Sequence, residues 1–160
     1  MNLDLFSVTV MTAIVASVAS LTFILDTLMR RDTGPGRLWA VAFFCGLATS
    51  IAYIAWSAGV GGAVSVAVGN TLFVCVPGFM LLGCRRFNDR SLSIAAVAVP
   101  LLGAITFVAV LVEYPSRGSW GGWWAMAASL VVLFGCGAVE SLRAPMRGLR
   151  SAWALSIVLG

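Results

Sequence analysis

Five long apolar runs, joined by short linkers that hold nearly all of the arginines, constrain this chain more than any other feature. They cover Leu3–Leu25, Leu38–Ala58, Gly62–Cys84, Leu92–Val112 and Gly121–Val139. A sixth run, Ala152–Gly160, has only begun where the sequence stops. A bilayer core takes about 20 apolar residues per helix. Each of the five is long enough, and none has a charge in its middle. The runs are continuous and do not alternate, which argues against a β-barrel. Open sheets are excluded because lipid offers no water to their unpaired backbone groups. The expected fold is all-α: a polytopic transmembrane helix bundle, five full spans plus the start of a sixth, forming one membrane-embedded domain over residues 1–160. A soluble fold of this size could not hide so much apolar surface. The chain is 61% hydrophobic and only 10% charged, against about 25% charged in a soluble domain.

The arginines set the expected orientation. Arg30, Arg31 and Arg37 lie between runs one and two. Arg85, Arg86 and Arg90 lie between runs three and four, and Arg143, Arg147 and Arg150 between runs five and six. The opposite-side segments hold only Arg117. Short loops rich in Lys and Arg stay in the cytoplasm, so the N-terminus is expected outside. A cleaved signal peptide needs a positive segment ahead of its apolar stretch; here Asp4 comes first and Arg30–Arg31 follow. Tyr53, Trp56, Trp120, Trp123 and Trp124 fall at the outer boundary, and Trp39 and Trp153 at the inner one, where amphipathic rings prefer to sit. The net charge of +4 then reads as topology and contact with anionic lipid. It does not read as nucleic-acid binding, because the basic residues are split over three tight loops. Run six heads outward, and its nine residues rise only about 13–14 Å. The natural chain is therefore expected to continue, with a seventh span returning it to the cytoplasm.

Few side chains here carry chemistry. Histidine is absent, which removes His-based catalysis and His metal sites. Cys45, Cys75, Cys84 and Cys136 lie in or at the ends of apolar runs without a CxxC spacing and read as small packing residues. Asp26 with Arg30, and Glu140 with Arg143, have the spacing of helical salt bridges near the inner ends of helices one and five. An ion-coupled transporter would carry an acidic residue nearer the midplane. Asn70 is the one strongly polar side chain inside a span. It is either a hydrogen-bonding partner for a neighbouring helix or a sensing contact. Pro77–Gly78 in the same run should kink the helix, either as fixed shape or as a hinge. Small residues recur every four positions at Thr12, Ala16 and Ser20, and at Ala42, Gly46 and Ser50, a spacing that lets helices approach closely in lipid. The linker Arg31-Asp32-Thr33-Gly34-Pro35-Gly36 is a tight turn by composition. No catalytic, cofactor-binding or metal-ligating group stands out.

The third run, GNTLFVCVPGFMLLGCRRF from Gly69 to Phe87, with Gly69, Asn70, Leu72, Leu81, Leu82, Arg85, Arg86 and Phe87, is similar to a pattern in the N-terminal membrane region of bacterial GGDEF-domain diguanylate cyclases. The stretch GPGRLWAVAF, Gly34 to Phe43, is similar to that family's first inner loop and second helix. Pro77 and Cys84 depart from the pattern. The resemblance covers about 30 residues as motif and most of the chain as architecture. It implies a membrane-embedded sensory and anchoring module, six or seven helices long, that regulates a cytoplasmic cyclase domain following residue 160. In the intact protein it implies condensation of two GTP molecules to cyclic di-GMP with Mg²⁺, in a cyclase homodimer. The GGDEF motif is absent from these 160 residues, so no enzyme activity or cofactor is expected of this segment. Its expected partners are the lipid bilayer, a second copy of the chain and a small apolar ligand, since minimal outer loops disfavour a large soluble one. The alternative is a small multi-pass transporter, lined by Asn70, Thr71 and Ser65, or a structural membrane protein.

Overall fold

The computed structural model describes residues 5–29, 34–115 and 121–143, and among them it is built from helices without strands. The order is α1 (Leu5–Met29), α2 (Pro35–Ser57), α3 (Gly62–Phe87), α4 (Ser93–Glu113) and α5 (Trp123–Ser141). Helices α2 to α5 are each long and apolar enough to cross a membrane. The helices overrun the apolar runs where the local chemistry allows it. Helix α2 begins at Pro35, whose missing N–H and preset φ suit a first helical position. Helix α3 carries Arg85 and Arg86 in its last turn, where cations complement the helix dipole and their stems can reach out of an apolar layer. The run that begins at Ala152 lies outside the described residues, as do Arg30, Arg31, Arg117, Trp120, Arg147, Arg150 and Trp153.

Between α2 and α3 the chain reverses within Ala58–Gly61. Gly59 and Gly61 take φ of 79° and 78°, a left-handed region that a Cβ disfavours. Val60 N–H donates to Ala55 O at 2.8 Å and closes the turn.

Helix α3 packs on α2, α4 and α5, while α1 packs against α2. Three of its glycines make this possible. A Cβ on Gly69 would stand 2.7 Å from the Tyr53 ring of α2, and one on Gly78 would stand 2.5 Å from Val99 of α4. A Cβ on Gly83 would run into the Trp39 indole of α2. Gly103 of α4 completes the set, its missing Cβ leaving room for Thr71 of α3. Pro77 sits buried within α3, which runs through it from Gly62 to Phe87.

The bundle turns many of its bulky apolar side chains outward. Ile94, Val97, Val112 and Val131 are exposed, as are Val18, Leu21, Phe44 and Ile51. Thr49, Asn70, Thr106, Ser129 and Ser141 are buried. In water, apolar patches of that extent mark a surface that something else must cover. Lipid tails do so without cost, because they are as apolar as leucine. These helices therefore belong to a membrane protein. Polar residues inside are stitched across the interfaces: Ser20 Oγ donates to Phe43 O at 3.2 Å between α1 and α2, and Thr71 Oγ1 to Gly103 O at 3.3 Å between α3 and α4. Trp39 Nε1 donates to Met80 O at 3.3 Å between α2 and α3.

The glycine contacts yield a paired expectation. Gly78→Ala should destabilise the bundle by about 1–3 kcal/mol, since the methyl group must displace Val99. Gly135→Ala, where a Cβ meets nothing within 4 Å, should be neutral or stabilise by about 0.5–1 kcal/mol through helix propensity. Reversible unfolding in mixed micelles would read both; equal effects of the two would contradict the packing described.

Candidate functional site

Two polar centres lie along α3, one in its first half and one at its C-terminal end. The first is built around Asn70, fully buried one-third of the way along the helix. Its Oδ1 accepts from Tyr53 Oη of α2 at 2.8 Å, and its Nδ2 donates to the carbonyl of Gly121 at 3.4 Å, ahead of α5. One amide thus ties three parts of the bundle together. The Gly121–Gly122 turn that receives it needs φ of 44° and 64°. Glu113 at the end of α4 holds the same turn, accepting from Gly122 N–H at 2.5 Å and from the Trp124 indole N–H. A carboxylate at the start of α5 also suits that helix's dipole. Nothing in this geometry needs a ligand to satisfy Asn70: both halves of its amide have protein partners.

The second centre sits at the arginine-rich end. Glu140, in the last turn of α5, is only 3% exposed. Its Oε1 accepts from Asn88 Nδ2 at 3.1 Å, and the same Nδ2 reaches the Glu140 backbone carbonyl at 2.9 Å. Its Oε2 lies 3.4 Å from Arg90 and 3.8 Å from Arg143. The sequence spacing points to Arg143 alone. The shorter ion pair comes from Arg90, on the α3–α4 turn, and the closest hydrogen bond from Asn88, which ends α3. Sequence reading passed over Asn88 because a lone Asn in a polar turn carries no periodic signal. What singles it out is its burial, at 7% exposure, in a loop otherwise open to solvent. The α3–α4 turn itself is held by Arg85, whose Nε and Nη2 both donate to Ser91 O, at 3.0 and 2.7 Å.

The remaining candidates fall into place around these centres. Pro77 and Gly78 lie buried between them; Gly78 has a packing role against Val99 that is independent of any hinge. Arg37 lies in the first turn of α2, and Arg86 is exposed at the end of α3. Arg37, Arg85, Arg86, Arg90 and Arg143 therefore share one end of the bundle. Asp26 belongs to α1, but its side chain lies outside the described residues, and so do those of Thr12 and Ala16. Cys45 and Cys84 are buried, Cys75 is half-buried and Cys136 is exposed, all as free thiols. Among the described residues no group of three His, Cys, Asp or Glu side chains is placed to hold a metal ion, and no buried side-chain polar atom lacks a hydrogen-bond partner.

A cleft opens between α4 and α5 at the arginine-rich end, floored by Leu81 of α3. Its volume is about 380 Å³. Small side chains on the two facing helices, Ala95 and Ala98 opposite Gly135 and Cys136, keep the walls apart. Arg85, Arg90, Arg143 and Glu140 line its mouth.

The chain matches no protein-family model, no curated protein and no solved structure.

Removal of the acceptor at Glu140 should be felt in stability. Glu140→Ala is expected to cost about 1–3 kcal/mol, the usual range for stripping a buried partner. Glu140→Gln should cost less, because it keeps an acceptor for Asn88 while losing only ion pairs to half-exposed arginines, which are weak. Tyr53→Phe at the other centre should cost about 0.6 kcal/mol, typical of a hydrogen bond between membrane helices. Unfolding titrations of the three variants would check the order.

Proposed function

We propose that this chain is the membrane-embedded sensory and anchoring module of a bacterial signalling protein, lying in the inner membrane with its N-terminus outside. On this reading α1 is a fifth full span and the run from Ala152 begins a sixth. The nine arginines Arg30, Arg31, Arg37, Arg85, Arg86, Arg90, Arg143, Arg147 and Arg150 face the cytoplasm. The module regulates a cytoplasmic diguanylate cyclase, where two GTP molecules and Mg²⁺ would be bound by residues of the cyclase domain and by none of these 160.

One observation carries the reading. Five of the eight residues that resemble the cyclase-linked pattern are among those through which α3 meets its neighbours. Gly69 admits the Tyr53 ring, Asn70 bonds α2 and the α5 entrance, Leu81 and Leu82 belong to the core, and Arg85 shapes the turn into α4. Asn88 and Arg90 then join the end of α3 to Glu140, one turn before the chain continues past Arg143. On this reading a shift of α3 would be felt at Glu140, in the last turn of α5. That is the requirement for a bistable bundle: two packings that differ at the output helix, biased by a cue at α3. Pro77 supplies a place for the two packings to differ, since its ring removes the N–H that would reach the carbonyl of residue 73.

A small transporter has less support. The polar side chains of α3 that would line its path are engaged within the bundle: Asn70 and Thr71 across helix interfaces, and Ser65 with the carbonyl of Val60.

Reading the encoding gene past the codon for Gly160 tests the assignment. A further span followed by a GGDEF-containing domain is the expected result; a stop codon, or helices alone, would overturn the cyclase reading. In the intact protein Pro77→Ala should change cyclic di-GMP output in a reporter strain while leaving membrane insertion intact. Unchanged output would remove the hinge.

A further inference from the structure

The cleft between α4 and α5 combines two chemistries in one place. Away from its mouth its walls are uncharged, with Ala98 and Leu102 of α4 facing Val132, Cys136 and Val139 of α5. Its mouth carries three guanidinium groups against one carboxylate, an excess of two positive charges. The carboxylate does not consume them. Arg90 and Arg143 stand 3.4 and 3.8 Å from Glu140 and are 42% and 46% exposed, whereas a strong charge-assisted bond closes to about 2.7–2.9 Å. Each guanidinium has five donors, so both keep donors directed to the surroundings. Arg85 donates to the neutral Ser91 O, and among the described ion pairs no carboxylate, Asp89 of the same turn included, is matched to it. Helices α4 and α5 also touch each other less extensively than either touches α3, and the Gly135 surface is open.

From this juxtaposition we infer that the α4–α5 cleft is a binding site for an anionic membrane lipid. One acyl chain lies along Ala98, Leu102 and Val132. The headgroup phosphate is received by Arg85, Arg90 and Arg143 at the arginine-rich face. Charge complementarity selects the occupant. A zwitterionic lipid brings its own cation to a mouth already positive, and a soluble phosphate leaves the apolar trough unfilled. The arginines that would orient the chain in the bilayer thus also form a discrete headgroup site. The lipid bridges the α3–α4 turn to the end of α5, so its occupancy would stabilise the same contact that Asn88 and Glu140 make. This inference rests on the membrane placement of the helices and is independent of the cyclase reading.

Native mass spectrometry of the full-length protein in mixed micelles tests it, with phosphatidylglycerol, phosphatidylcholine and inorganic phosphate as probes. Phosphatidylglycerol is expected to be retained about ten-fold more tightly than phosphatidylcholine, the scale of one charge-assisted hydrogen bond. Arg143→Gln should remove most of that preference. Because an arginine variant can also loosen Glu140, Ala98→Phe serves as the second variant: it fills the trough, touches no charged partner and should abolish retention. Equal retention of both lipids would overturn the inference, as would full competition by inorganic phosphate or retention unaffected by Ala98→Phe. So would efficient cross-linking, in lipid-free protein, of Cys136 to a cysteine placed beyond Arg143 or to Cys136 of a second copy, since either would show the cleft already filled by protein.

Discussion

The close approach of the α3 backbone to α2 and α4 is the contact on which the rest of the bundle depends. In lipid there is no hydrophobic force to drive helices together, because a leucine gains nothing by leaving acyl chains for another leucine. What remains is dispersion between well-fitted surfaces and hydrogen bonds between helices. Gly69, Gly78 and Gly83 provide the first by removing the Cβ atoms that would hold Tyr53, Val99 and Trp39 away. Those approaches then bring Asn70 to Tyr53, Thr71 to Gly103 O and Trp39 to Met80 O. Polar and small residues can be buried here, and many valines and isoleucines can face outward, for that same reason.

The two polar centres along α3 are closed by different chemistries. At the Asn70 end a neutral amide and a Glu113 carboxylate organise the entrance to α5 through backbone donors and acceptors. At the opposite end the buried Glu140 carboxylate is met by Asn88 and flanked by Arg90 and Arg143. A charge at that depth is tolerable because it is hydrogen-bonded and because both cations keep one side in water. The arrangement makes the arginine-rich end mechanically continuous from the end of α3, through the α3–α4 turn, to the last turn of α5. It also leaves the α4–α5 cleft as a place where an apolar trough opens beneath surplus positive charge.

Much of this fold was legible in the order of residues. Run lengths alone located α2 to α5 to within a few residues, because an uninterrupted apolar stretch near 20 residues has few stable alternatives to a membrane helix. Asn70 stood out as the polar residue inside a span, and Glu140–Arg143 was visible from its three-residue spacing. The small-residue spacing in α2 does not mark the tightest approach: Ala42 is buried, but a Cβ on Gly46 would meet Val76 of α3 only at 3.8 Å, whereas the tight contacts fall at Gly69, Gly78 and Gly83 of α3.

What the amino-acid sequence determined by itself was the inventory: helices, their spans, the clustering of arginines at one end and the scarcity of reactive groups. These depend on local composition and on the chain's distance from water, both of which are properties of a linear string. Only the tertiary structure decided the partners. Asn88 with Glu140, Arg90 ahead of Arg143, Tyr53 with Asn70 and the opening between α4 and α5 each join residues from different helices or the turns between them. In an all-apolar bundle the hydrophobic pattern is nearly uniform around each helix, so it does not say which face meets which neighbour. That choice was made by where a missing Cβ lets two backbones meet and where a buried donor finds its acceptor.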